Sequence, residues 1–326
     1  CNSEEGSFLL EGGISFLFLF ACGGGSSSDA EIINPITPPT PDDLPECNPS
    51  GYEKTLYCTY TRLGLDREFY VYVPDDIYSE TANPPLLFNL HGYRRQAIDF
   101  LGYSGFQILA DEDKLIVIYP QGSILPSSGE PHWNDTGWSS ESPADDVDFI
   151  SSLIDWGLTN YQINPNRVYA TGKSNGGKMS YHLACNLRYR IAGVASVGGT
   201  MNPNTYSSCN PSHPTPIIHI HSEDDTVVPI DGNWRSLPLT EMMDYWNTYN
   251  ACEDSRVTAI TDENNDGESG EVFLNYSCLN QVETKLFLTK NMGHDWPTDL
   301  NSYDIIAADE IWKFLKQFDM NGKIQN

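Results

Sequence analysis

The sequence predicts an α/β domain built on a mostly parallel, doubly wound sheet flanked by helices. Two observations carry that expectation. Short apolar and β-branched runs alternate along the chain with amphipathic helical segments, the pattern of repeated strand–helix–strand units. In addition, Arg167-Val168-Tyr169-Ala170-Thr171 leads through Gly172-Lys173-Ser174-Asn175-Gly176 into a segment where Met179, Leu183 and Leu187 recur at helical spacing. Strand, sharp turn and helix are the context in which G-x-S-x-G forms a nucleophile elbow rather than an ordinary turn.

The elements follow in order. Residues 69–73 form an early strand stopped by Pro74, and 85–90 a buried strand running into His91-Gly92-Tyr93. A short helix over 106–112 precedes a buried strand at 115–119. Residues 121–144 are a long polar loop carrying His132, Trp133 and Trp138, a length usually reserved for function. Residues 145–161 are amphipathic, with Phe149, Leu153, Ile154 and Leu158 on one stripe and acids in the first turn. Beyond the elbow, 191–197 and 217–220 read as core strands and 239–249 as a helix. Strands at 257–260, 271–276 and 282–288 lie near one edge, and 305–318 is a closing helix.

A length of 326 residues suits one large α/β domain with extensions. Against 45 Asp and Glu stand 18 Lys and Arg, a formal net charge of -27. That balance argues against nucleic-acid binding, which needs a basic surface. Residues 1–21 read as a signal segment whose apolar run, 14–21, is too short to span a bilayer. Leu19-Phe20-Ala21-Cys22 resembles a bacterial lipobox with Cys22 lipidated, although residues 1–13 lack Lys and Arg. A plain secretory segment is the alternative. Residues 22–46, Gly/Ser-rich and then Pro-rich, read as a tether, and 47–326 as the catalytic domain. The expectation is an exported protein, lipid-anchored at an outer-membrane or cell surface, or secreted. Six cysteines beyond Cys22 then read as disulfides, and nearest-neighbour pairing gives Cys47–Cys58, Cys185–Cys209 and Cys252–Cys278.

Ser174 as a nucleophile needs a base within hydrogen-bond reach and a carboxylate to orient that base. His294, in Asn291-Met292-Gly293-His294-Asp295-Trp296-Pro297, follows a predicted strand and is the candidate base. His182, His213, His219 and His221 lie elsewhere downstream; of these, His182, on the helix after the elbow, and His219 and His221, on or ending a strand, read as structural. The carboxylate should follow the strand 217–220. There Asp225 is the candidate and Asp224 the alternative. Oxyanion stabilisation requires two amides, assigned to the N–H groups of Asn175 and Tyr93.

The motifs Leu90-His91-Gly92-Tyr93, Tyr119-Pro120-Gln121-Gly122, Asp145-Asp146-Val147-Asp148-Phe149, Arg167 through Gly177, His221 through Pro229, and Gly293-His294-Asp295-Trp296-Pro297 occur in that order. Together they resemble the secreted polyhydroxybutyrate depolymerase-like esterases, which include the feruloyl and acetyl-xylan esterases of carbohydrate esterase family 1. The resemblance covers residues 50–318. It implies an α/β-hydrolase fold without a large lid domain, a Ser174–His294–Asp225 triad, and Trp133 and Trp296 near an acyl-binding cleft beside His91. Lys173 departs from the apolar residue usual there, and Arg94 and Arg95 stand where glycines are common.

The function these readings imply is carboxylic-ester hydrolysis through an acyl-enzyme, without cofactor or catalytic metal, by a monomer. The substrate class is a polymer-linked ester: feruloyl or acetyl groups on plant polysaccharide first, polyhydroxybutyrate or aromatic polyester second. A surface protein that binds glycan without turnover is the alternative of another class. Asp262-Glu263-Asn264-Asn265-Asp266-Gly267 resembles the start of a calcium loop, but Phe273 occupies its twelfth position, and an acidic hairpin turn is the simpler reading.

Overall fold

Runs without a single exposed residue make the centre of the molecule. The computed structural model describes residues 44–325 apart from 79–82, 263–264, 267–268 and 301–302. The signal segment, Cys22 and nearly all of the tether lie outside the described residues. In chain order the strands are β1 (Glu46–Pro49), β2 (Thr55–Arg62), β3 (Leu65–Tyr72), β4 (Leu86–Leu90), β5 (Ile116–Pro120), β6 (Ile124–Leu125), β7 (Glu130–Pro131) and β8 (Val168–Gly172). They continue as β9 (Gly193–Val197), β10 (Ile217–Ser222), β11 (Asp254–Ala259), β12 (Glu271–Tyr276), β13 (Thr284–Thr289), β14 (Phe318–Asp319) and β15 (Gly322–Lys323). The helices are α1 (Ala97–Tyr103), α2 (Phe106–Asp113), α3 (Asp146–Tyr161), α4 (Asn175–Asn186), α5 (Pro203–Ser208), α6 (Leu239–Tyr249) and α7 (Ala307–Leu315).

Eleven strands form one sheet in the order β1-β2-β3-β5-β4-β8-β9-β10-β13-β12-β11. From β5 to β13 the neighbours are parallel; the outer strands on both sides pair antiparallel. Strands β4, β5, β8 and β9 are buried throughout because helices cover both faces. One core holds Phe88, Phe149, Leu153, Met179, Leu183 and Trp246, from the sheet, α3, α4 and α6. The other holds Leu87, Phe100, Phe106, Ile311, Trp312 and Leu315, from the sheet, α1, α2 and α7. No described helix is long and apolar enough to cross a membrane.

The three expected disulfides form, Cys47–Cys58, Cys185–Cys209 and Cys252–Cys278. Closing loops of this size contributes about 2–4 kcal/mol each. Several elements differ from the sequence expectation. The sheet gains β1 and β2 at its edge, where Thr55–Arg62 alternates facing directions across from β3. Among the described residues the first strand opens at Glu46, the last residue of the expected tether. Helix α1 has seven residues and opens on Gln96 rather than a Ser, Thr, Asp or Asn, so its start carried little signal. The closing helix stops at Leu315, and the chain then turns into the β14–β15 hairpin. Within 121–144 the backbone forms only the small β6–β7 hairpin as regular structure.

Candidate active site

The parallel strands end on one side of the sheet, and the loops leaving β4, β8, β10 and β13 carry the candidate triad and amide residues singled out above. Ser174 sits between β8 and α4 with φ 55° and ψ -116°, a conformation L residues rarely hold. Its N–H donates to Val197 O at 2.8 Å, fixing the turn against the end of β9. A Cβ on Gly176 would lie 2.2 Å from Leu90 O, so only glycine lets α4 start this close to β4.

His294 and Asp225 meet from the loops after β13 and β10. Nδ1 of His294 lies 2.6 Å from Oδ2 of Asp225. Oδ1 of Asp225 accepts from the Val227 and Val228 N–H groups, each at 2.8 Å. Burial opposes ionisation of Asp225, but hydrogen bonds from His221 and His294 outweigh it and hold its carboxyl below the usual carboxylate range. An ionised Asp225 makes Nδ1 the donor and leaves the Nε2 lone pair to act as base. Gly198 lies between this ring and the elbow: a Cβ there would stand 3.1 Å from His294 Nδ1, and its neighbour Val197 holds Ser174. Asp224 does not reach the imidazole. Its Oδ1 accepts from Ser222 Oγ at 2.5 Å and Gly293 N at 3.0 Å, tying together the two loops that bear Asp225 and His294.

Tyr93 and Asn175 place their N–H groups where neither donates to an acceptor among the described residues. Gly92 adjoins Ser174, since a Cβ on it would lie 3.6 Å from Ser174 Cβ. His91 orients this turn. Its Nε2 accepts from Gly122 N at 2.9 Å, so Nδ1 carries the proton and donates to Gly92 O at 2.8 Å. Arg95 N donates to the same carbonyl at 3.1 Å. In a planar trans peptide, a carbonyl held on one side points the following N–H, that of Tyr93, to the other. Burial pushes His91 down to about 4, so the ring stays neutral in this role.

The family described as Phospholipase/Carboxylesterase matches residues 88–244, which run from β4 through the elbow into α6. The chain has the α/β-hydrolase fold. Among curated relatives it is 26% identical over 273 residues to a bifunctional acetylxylan esterase/xylanase of Neocallimastix patriciarum, covering 83% of this chain and 36% of that one. It is 27% identical over 247 residues to feruloyl esterase B of Piromyces equi, covering 72% and 42%. The chain thus spans about two fifths of the length of these relatives. An acetyl xylan esterase from Aspergillus awamori superposes with a TM-score of 0.52 at 16% identity, covering 77% of this chain and 94% of that one. At that identity the likeness concerns the fold.

Three expected substrate contacts are corrected by burial. Trp133 and Trp296 have 0% exposure and offer no ring face to an acyl group. The Trp133 N–H donates to Asn175 Oδ1 at 2.7 Å, Asn175 Nδ2 donates back to Trp133 O at 3.1 Å, and the indole donates to His91 O at 2.9 Å. It is a brace between the start of α4 and the turn after β4. Trp296 packs edge-on against Phe100 and Phe106 and donates to Ser104 O. His91 is buried and bonded to backbone, so it acts on the turn and not on a ligand. Trp133→Ala is expected to destabilise the protein by about 3–5 kcal/mol. Chemical denaturation checks this; a loss below about 1 kcal/mol would contradict the brace.

Other residues acquire partners that spacing did not show. Lys173 Nζ lies 3.3 Å from Asp295 Oδ1, so an ion pair links the neighbour of Ser174 to the neighbour of His294. His219 and His221 form a buried chain: Tyr181 OH meets His219 Nδ1 at 2.8 Å, His219 Nε2 meets His221 Nδ1 at 2.9 Å, and His221 Nε2 meets Val228 O at 2.7 Å. The same His221 Nε2 stands 3.3 Å from Asp225 Oδ2, bracing the carboxylate from beneath. In the candidate calcium loop, Asp262 and Asp266 meet Asp304, with one carboxylate oxygen from each within 4.8 Å of the others. Such crowding is common among exposed acids in a chain with 45 of them.

Proposed function

We propose that this chain is an exported serine esterase in which Ser174 attacks a carboxylic ester. His294 takes the hydroxyl proton through Nε2 and later returns it to the leaving alcohol. Asp225 holds the tautomer and stabilises the imidazolium. The amides of Tyr93 and Asn175 receive the oxyanion at the start of α4, where the helix dipole favours negative charge. Water then releases the acyl-enzyme by the same route in reverse. The observation that carries this reading is the 2.6 Å Asp225–His294 contact set against the end of β9 that also holds the strained Ser174.

The substrate class proposed is an ester on a plant polysaccharide, feruloyl or acetyl, as the names of the curated relatives suggest. Residues 47–326 are proposed as the catalytic domain, with export and lipid attachment at Cys22. Three disulfides fit an oxidising compartment. A fluorophosphonate probe is expected to label the protein once, at Ser174, and to abolish hydrolysis of p-nitrophenyl acetate in proportion. Labelling elsewhere with activity retained would overturn the assignment. Rates on methyl ferulate, acetylated xylan, polyhydroxybutyrate and a terephthalate polyester then rank the substrates.

A further inference from the structure

Three separate loops build a ladder of aromatic rings and cations that starts at Tyr93, in the turn after β4. The Tyr93 and Trp138 rings meet edge to face, their centroids 4.8 Å apart. The Arg235 guanidinium lies 5.3 Å from the Trp138 centroid and 4.3 Å from that of Trp234. Arg94 stands 5.2 Å from the Tyr93 centroid at the other end and pairs with Glu130 at 3.6 Å.

The mount of Arg235 is rigid. Asn233 and Ser236 exchange backbone hydrogen bonds, closing a tight turn, and the Arg235 N–H donates to Asn233 Oδ1. Lys178, one helical turn past Ser174, donates from Nζ to Arg235 O at 2.7 Å. Lys178 is buried, and burial lowers it to about 8, so this tether is itself a desolvated contact between α4 and the turn. The ladder is therefore anchored at one end to the oxyanion turn and at the other to the helix that Ser174 begins.

What it presents is unusual for this chain. Trp234 is 72% exposed, an apolar ring held open to solvent. The protein carries 45 acids against 18 Lys and Arg, yet among the described residues no carboxylate lies within 4.0 Å of the Arg235 guanidinium. A guanidinium lying over indole rings spends none of its N–H donors on them, and those donors fit a carboxylate. The field of a protein with net charge -27 opposes the approach of an anion, so a local cation is what would admit one.

We propose that the Trp138–Arg235–Trp234 ladder selects esters that carry a second carboxylate, with that carboxylate on Arg235 and the adjoining ring against Trp234. This rests on the serine-esterase reading above and names the substrate class within it. Two sources share the chemistry: a uronate branch on a polysaccharide and the free acid end of an aromatic diacid monoester.

The test compares kcat/KM within matched pairs. One pair is acetylated xylo-oligosaccharide with and without a glucuronic acid branch; the other is monomethyl and dimethyl terephthalate. Each ratio is independent of the concentration of folded enzyme, so a stability loss does not imitate the effect. Arg235→Gln is expected to lower the preference for the carboxylated member of one pair about fivefold, the upper end of what an exposed ion pair contributes. Arg235→Lys should restore part of it, since the charge returns without the planar fork. The pair whose ratio moves identifies the source. Ratios unchanged in both pairs, with Ser174-dependent hydrolysis of p-nitrophenyl acetate intact, overturn this inference alone. Absence of any Ser174-dependent turnover overturns the esterase reading and this inference with it.

Discussion

Ser174→Ala is expected to lower kcat for p-nitrophenyl acetate about 10⁶-fold while the protein stays folded. The hydroxyl is the only atom removed, and backbone contacts hold the turn: Ser174 N to Val197 O and Lys178 N to Ser174 O. Residual hydrolysis above the uncatalysed rate would come from the oxyanion amides and from binding, which such a variant retains. Stability offers an independent reading. At φ 55° and ψ -116° both serine and alanine are strained, by about 1–3 kcal/mol, whereas glycine is not. Ser174→Gly should therefore be inactive and yet melt above Ser174→Ala. Equal esterase rates in wild type and Ser174→Ala would remove the serine from the mechanism.

Asp225→Asn is expected to lower kcat about 10⁴-fold with little change in KM. The amide keeps the shape but presents an N–H₂ where Nδ1 needs an acceptor, which favours the tautomer whose Nε2 already bears a proton. Such a ring cannot accept from Ser174. Stability should respond to pH as well. The folded Asp225 carboxyl is held below its usual range, so its contribution is complete above the unfolded aspartate value of about 3.9 and declines as pH falls through and below it. The gap in urea midpoint between wild type and Asp225→Asn should narrow from about pH 5 toward pH 3.5. A gap that widened over that acid interval would place the ionised carboxylate elsewhere.

Legibility varied by the range of the interaction. The central strands and α3, α4, α6 and α7 could be read because burial on one stripe or along a whole strand leaves a local periodicity. The elbow could be read because G-x-S-x-G stands between a β-branched run and a helical repeat, although the backbone its glycines admit belongs in part to Leu90 on β4. The edge hairpin β1–β2 and the seven-residue α1 were missed because neither makes a long apolar pattern. The family resemblance implies Trp133 and Trp296 near an acyl-binding cleft, and the fold buries them instead: a large ring on a loop can fill the space between the loop and the body. Lys173 read as an oddity until Asp295 came to lie beside it.

Local rules acting on neighbouring residues were enough to indicate a candidate nucleophile and the class of fold. Helical spacing and turn chemistry operate over a few residues, and the amino-acid order states them directly. Only the tertiary structure decided which rings are buried, that Asp224 ties loops while Asp225 meets His294, and that Trp138, Arg235 and Trp234 stand together. Those outcomes depend on which loops the sheet brings side by side, and strand order is set by long-range packing that no short stretch of sequence encodes.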